Sequence, residues 1–202
     1  MYQPKMFKET RIHILHELIN KFPFANVVVT HADGVEVAHL PLVLDRSKQK
    51  LIGHVALANP LFKILSDAPR SVIVIFNGEN GYISPSYYLE PEHHVPTWNY
   101  AVVQVHGEIK LVNDEVKLMS ILDDLQSQYD VSTTDWSNPK MKAQLKGIGG
   151  FEIDILELNG KFKLSQNRDE ANQQNIIQKL ATSKELNDIN LSKFMQSYFI
   201  NK

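Results

Sequence analysis

Short runs of Val, Ile and other strand-forming residues recur along this chain, and turn signals rather than helices separate most of them. That spacing limits the fold more than any other feature. Residues 26–30 (NVVVT) lead through Asp33-Gly34 into residues 35–45 (VEVAHLPLVLD), a hairpin pattern. Pro41 has no N–H to give to a ladder, so the second arm lies at a sheet edge or bulges there. Further runs follow at residues 50–56 (KLIGHVA), 72–76 (VIVIF), 100–112 (YAVVQVHGEIKLV) and 150–165 (GFEIDILELNGKFKLS). The last carries Asn159-Gly160, a turn or bulge signal, and reads as a strand pair. Six or seven strands joined mainly by hairpins predict an antiparallel barrel, because a doubly wound sheet needs regular strand–helix alternation.

Helices are expected between and after these strands. Apolar residues at helical spacing predict one over residues 8–21, ended by Pro23. Asn59 followed by Pro60 predicts a capped helix directly after the strand 50–56. Its first amides can bind an anion alongside the cap, or Asn59 only caps, and the sequence leaves both readings open. Asn113 is expected to cap a helix over 114–129 that buries Val116, Met119, Leu122 and Leu125, and Asn138 to cap one over 139–145. Gly147, Gly149 and Gly150 break the pattern before the last strand pair, without a dinucleotide fingerprint. Residues 169–202 are polar and helical, a C-terminal extension packed on the preceding domain (residues 1–168) or on a partner subunit.

Between two strong strands lies an irregular stretch, residues 82–100 (YISPSYYLEPEHHVPTWNY). Three prolines restrict it, and Tyr87, Tyr88 and Trp98 either offer ring faces to a flat partner or plug the core. The chain has no cysteine, which removes disulfides, thiolate metal sites and cysteine nucleophiles. A net charge of −2 with scattered lysines and arginines gives no basic stripe to support tight DNA binding. No leader-like or membrane-length apolar run is visible, so the expectation is a cytoplasmic protein without a membrane partner.

Several segments taken in order, MYQPKMF, AHLPL (38–42), GHVALANP (53–60), YISPSYY, VPTWNY (95–100) and GKFKLSQNR (160–168), resemble the PaiB-like, FMN-binding negative transcriptional regulators. That resemblance implies an antiparallel split β-barrel of the α+β class with C-terminal helices, over residues 1–168. It also implies a homodimer with FMN at the subunit interface. The aromatic loop and the strand after it would otherwise expose a large apolar patch.

By the same resemblance, His39, Leu40, Pro41 and Leu42 supply a strand that lines the flavin ring. His54, Val55, Asn59 and Pro60 face the ribityl phosphate, with Lys63 one turn on. Trp98 and Asn99 approach the isoalloxazine, and Lys163 stands where related barrels hold a basic residue. Leu57 departs from the pattern by standing where the family usually has arginine, which implies FMN binding that is weak or absent. No residue stands out as a catalyst, so any flavin-dependent redox activity would be the cofactor's. The alternatives are a regulator of transcription without flavin, or a haem-binding member of the same fold.

Overall fold

The structure is a computed structural model and describes residues 1–45, 47, 49–130 and 132–200. In chain order the elements are β1 (Lys8–Glu9), α1 (Ile12–Lys21), β2 (Phe24–His31), β3 (Gly34–Pro41), β4 (Val43–Asp45) and β5 (Lys50–Ala56). Then come α2 (Pro60–Asp67), β6 (Arg70–Ile83), β7 (Thr97–Val112), α3 (Glu115–Ser127), α4 (Pro139–Gln144), β8 (Ile148–Lys163), α5 (Glu170–Ala181) and α6 (Leu186–Ile200). The strand order is β3-β2-β6-β7-β8-β5-β4, with β1 on β8. Each registered pairing is antiparallel, the α+β arrangement expected from the turn signals. The chain divides into two compact units. The larger comprises Ile12–Phe76 and Gln104–Leu158, and the smaller comprises Met1–Arg11, Asn77–Val103 and Asn159–Lys202.

In the larger unit the hairpin β2–β3 turns at Gly34, whose φ of 140° favours glycine. Strand alternation sends Ala25, Val27, Val29, Val72 and Val74 into the core. The predicted arm 35–45 is two strands, because the ladder stops at Pro41 and the Leu42 amide donates instead to the Pro23 carbonyl (3.0 Å). As read from Pro41, β3 ends the strand order.

Helices α2 and α3 approach β8 through its two adjacent glycines. A Cβ at Gly149 would stand 2.4 Å from the Phe62 ring of α2, and one at Gly150 about 3.1 Å from Leu118 of α3. Gly150 opens the expected strand, but Gly149, expected before it, also lies within β8. Asp114 rather than Asn113 caps α3, accepting from the Lys117 amide at 2.7 Å. The buried face of α3 is Leu118, Ile121 and Leu125, the last as expected, while Met119 and Leu122 are half-buried and Val116 is exposed, so the expected face is rotated around the helix. Asn59 and Asn138 cap α2 and α4 as expected.

In the smaller unit two expectations fail for one reason. Lys8 and Glu9 pair with Lys161 and Gly160, so β1 replaces the predicted helix start and α1 begins at Ile12. That same pairing keeps Asn159-Gly160 extended inside β8, so the predicted strand pair is one continuous strand. The loop before β7 folds into two 3-10 turns, Pro85–Tyr87 and Pro91–His93. Helices α5 and α6 are joined by a bond from the Ser192 hydroxyl to the Ile177 carbonyl (2.9 Å). The last two residues of the segment 169–202 lie outside the described residues.

The buried Glu9 carboxylate gathers the ends of this unit. It accepts from the Thr10 and Arg11 amides, from the Arg11 guanidinium (2.8 Å) and from the Tyr198 hydroxyl of α6 (3.0 Å). Burial alone pushes its pKa up, but the bonds from Arg11 and Tyr198 outweigh burial and hold it below the ordinary glutamate value. A carboxylate depressed on folding adds stability above its unfolded pKa, and that stability is lost as pH falls through the folded value. Glu9→Gln is therefore expected to lower the unfolding free energy at neutral pH by about 1–3 kcal/mol. It should also flatten the acid limb of the stability profile. Urea denaturation of both proteins at pH 7 and pH 4 measures this, and an unchanged acid limb would contradict it.

Candidate functional site

In the larger unit the AHLPL segment is the end of an edge strand. His39 is exposed and its Nδ1 lies 2.7 Å from Asn26 Oδ1 of β2, its register partner. Leu40 and Pro41 are half-buried, and Leu42 is buried. This segment presents backbone and an imidazole edge to the surroundings, with Leu42 anchored inside.

The strand–turn–helix from β5 into α2 is closed by its own hydrogen bonds. The Leu57 amide donates to the Gly147 carbonyl, the Asn59 amide to Ala56, the Phe62 amide to Asn59, and the Leu61 amide to the Asn59 side chain (each 2.9–3.0 Å). Pro60 has no N–H. Of the two readings of this helix start, the geometry therefore favours the cap: an anion here would draw on side chains rather than on these amides. Lys63 is exposed one turn on. Leu57 is 41% exposed, and its Cδ2 would stand 3.5 Å from a Cβ at Gly149. Val55 is buried. His54, half-buried on β5, has a buried Nδ1 with no hydrogen-bond partner among the described residues, and burial pushes its pKa below the ordinary histidine value.

In the smaller unit the VPTWNY segment forms the start of β7. Consecutive strand residues face opposite sides, so Trp98 and Asn99 are separated rather than brought together. Trp98 is 53% exposed, with its ring edge-on to Tyr82 at 6.3 Å. Asn99 is fully buried, donating to Ser165 Oγ (2.9 Å) and touching Met195 of α6. Ser165 holds a left-handed φ of 67°, and Gln166 bonds the Leu164 amide (2.6 Å) and the Phe162 carbonyl. The KLSQN run is thus a wired turn that seats Asn99.

Lys163 lies on the outward side with Trp98. Its ammonium donates to Thr97 Oγ1 (2.6 Å) and to the Trp98 carbonyl. Burial, then the nearby Arg168 and Lys161, push its pKa below the ordinary lysine value. Of the loop aromatics, Tyr88 is a plug: it is buried, stacked on His94 at 3.9 Å, with the Arg168 guanidinium over its ring.

The sequence reading passed over Lys161 and Tyr100, which join this cluster. Lys161 stands over the Tyr2 and Tyr100 rings (5.4 Å each). The signal was the two-residue period itself, since Lys161 shares a strand face with Lys163 and Tyr100 with Trp98. A cavity of about 520 Å³ opens beside these rings, lined by Asn77, Asn80, Trp98, Tyr100 and Val102. Among the described residues no cluster of three or more histidine, aspartate or glutamate side chains suits a metal ion, and no helix is long and apolar enough to cross a membrane.

Residues 1–157 match the family model described as "Putative FMN-binding domain". "Protease synthase and sporulation protein PAI 2" of Bacillus subtilis is 32% identical over 203 residues, covering 97% of each chain. Among solved structures, an "FAD and Heme binding protein" from Mycobacterium smegmatis aligns with a TM-score of 0.62 at 13% identity, over 83% of this chain and 78% of that one. A "putative 5-nitroimidazole antibiotic resistance protein" from Bacteroides thetaiotaomicron aligns at 0.61 and 12%, over 76% and 85%. At such identities the two structures speak for the fold alone, the split-barrel class.

The histidine offers a direct check on the burial described for this site. A histidine whose folded pKa is depressed stays neutral where free imidazole is half charged, so stability falls as pH drops through the ordinary histidine range. In an NMR titration the His54 ring signals are expected to move at lower pH in the folded protein than in the urea-unfolded chain. Coincident midpoints would show that His54 is not desolvated.

Proposed function

We propose, for a chain that belongs to the PaiB-like family of FMN-binding domains, that it is a homodimeric flavin-binding protein whose ring site includes Trp98 and Lys163. The observation that carries this reading is an exposed indole whose own carbonyl binds a half-buried ammonium with no carboxylate partner among the described residues. A planar ligand with an electron-rich edge complements that pair. Its ring would stack on Trp98 and its edge would accept from Lys163. Lys161 and Arg168 add positive charge without acidic partners among the described residues. Asn99 enters as a positioning residue, because its bond to Ser165 fixes the strand that presents Trp98.

By the family resemblance, segment 38–42 would line a flavin ring and segment 53–63 would face the ribityl phosphate. The amides of Leu57, Asn59, Leu61 and Phe62 are already bonded, so affinity for the phosphate rests on Lys63, His54 and whatever stands at position 57. Bound flavin supplies hydride and single-electron transfer. The chain's own groups bind it, orient it and keep a lysine beside it.

The apolar outer face of β2, β3 and β6 supports the dimer. Val35, Val37 and Ile73 are 59%, 47% and 37% exposed on one side of the sheet, with Val28 between them. A second copy is the occupant suited to this face, since the same edge strand carries His39 to Leu42 and an isologous contact would pair two such sites.

Two experiments test the proposal. Leu57→Arg should tighten FMN roughly tenfold or more through one charge-assisted contact of about 1.5–3 kcal/mol, and should change riboflavin little. Both flavins are titrated against both proteins. Equal gains, or none for FMN, would mean that residue 57 does not face the phosphate, and no saturable flavin binding by either protein would overturn the proposal. Sedimentation at micromolar concentration should show a dimer, and Val37→Lys should shift it towards monomer. A wild-type monomer would remove the dimer and its shared site.

A further inference from the structure

The larger unit holds a second groove, which touches the segment of the flavin reading only at Leu57 and Phe62. It has a volume of about 520 Å³ and lies where α2, α3, α4 and the first residues of β8 meet. Phe62, Val112, Leu118, Leu145 and Ile148 make its wall apolar, and Leu57 stands at its rim. The size is within the range of small-molecule sites, roughly 300–1,000 Å³, and the lining is the usual one, apolar walls with few polar groups.

The charges around the groove are unequal in their commitments. Lys142 is paired with Glu115 at 3.0 Å. Asp114 is occupied as the cap of α3. Lys146 is exposed and has no ion-pair or hydrogen-bond partner among the described residues. One ammonium therefore remains to meet a ligand, and two carboxylates nearby oppose a dianion.

We propose that this groove binds a small amphipathic monocarboxylate, its chain against Phe62, Leu118 and Leu145 and its carboxylate on Lys146. A phosphate ester fits less well, because Asp114 and Glu115 repel its second charge. A neutral hydrocarbon would leave Lys146 unused. The lining shares no residue with Trp98, Lys163 or segment 38–42, and it meets the proposed phosphate segment 53–63 at Leu57 and Phe62, so the FMN arm of the test below decides whether the two sites are separate.

The test is calorimetric titration of the full chain with octanoate and, as the neutral probe, octanol. Wild type should bind octanoate saturably and at least about tenfold more tightly than octanol, as one charge-assisted contact predicts. Lys146→Ala should erase that difference while leaving octanol and FMN affinities unchanged. Ala143→Trp, at an exposed lining position on α4, should block both probes by filling the groove. Thermal melts confirm that each variant is folded, so a loss can be assigned to the groove. No saturable octanoate binding by wild type, or equal affinity for octanoate in wild type and Lys146→Ala, would overturn the proposal. So would a parallel loss of FMN affinity in Lys146→Ala, which would make the groove part of the flavin site. Failure of FMN binding with octanoate binding intact would count against the flavin reading alone.

Discussion

The packing of the larger unit depends on two neighbouring positions without side chains. Gly149 and Gly150 face opposite sides of β8, so one lets the Phe62 ring of α2 come down on the strand and the other does the same for Leu118 and Ile121 of α3. Any Cβ at Gly149 would collide with the ring at 2.4 Å. The strand–turn–helix from β5 takes its place from this approach, because the Leu57 amide bonds to Gly147 just before the glycine pair. The candidate phosphate segment and the second groove therefore share one steric condition, although they are argued to take different ligands.

What was legible in the sequence was local chemistry. The Asp33-Gly34 turn, the Asn59–Pro60 and Asn138–Pro139 helix starts and the edge position signalled by Pro41 each depend on residues close in the chain. What was missed depends on partners far away. Lys8 and Glu9 read as helix until β8 is placed beside them, and Asn159-Gly160 reads as a turn until Glu9 pairs across from Gly160. The face of α3 was misjudged because Val116 is apolar yet lies in the first turn, beyond the reach of the Val43, Ile52, Ile121 and Leu125 cluster.

The same division runs through the candidate site. The crowding of rings in residues 82–100 was visible, but two rings there have opposite fates. Tyr88 is buried against His94, as the core-plug reading expects, whereas Trp98 is exposed. Trp98 and Asn99 are adjacent in the motif and look like a pair. The pleat assigns one to solvent and the other to a buried bond with Ser165. Adjacent residues of a motif thus have opposite environments, and only every second one faces outward.

Charge bookkeeping separates structural from available cations. In the larger unit Lys50, Lys110 and Lys117 are bound to Glu152 and Asp154 at 2.6–3.1 Å. Burial raises the pKa of Glu152, but bonds from Lys117 and Lys50 outweigh it, and Lys110 in turn holds the Asp154 carboxyl low. Those lysines are committed to the fold. In the smaller unit Lys161 and Arg168 rest on tyrosine rings, and Lys163 donates to a hydroxyl and a carbonyl. None of the three neutralises a carboxylate among the described residues. Ring faces and neutral oxygens orient a cation but do not cancel its charge, so the field of these three remains directed outward. An anionic edge brought there would relieve their mutual repulsion and return the Lys163 pKa towards its ordinary value. The cluster would therefore be stabilised by the charge of the proposed ligand, as the ion-paired lysines of the larger unit would not be.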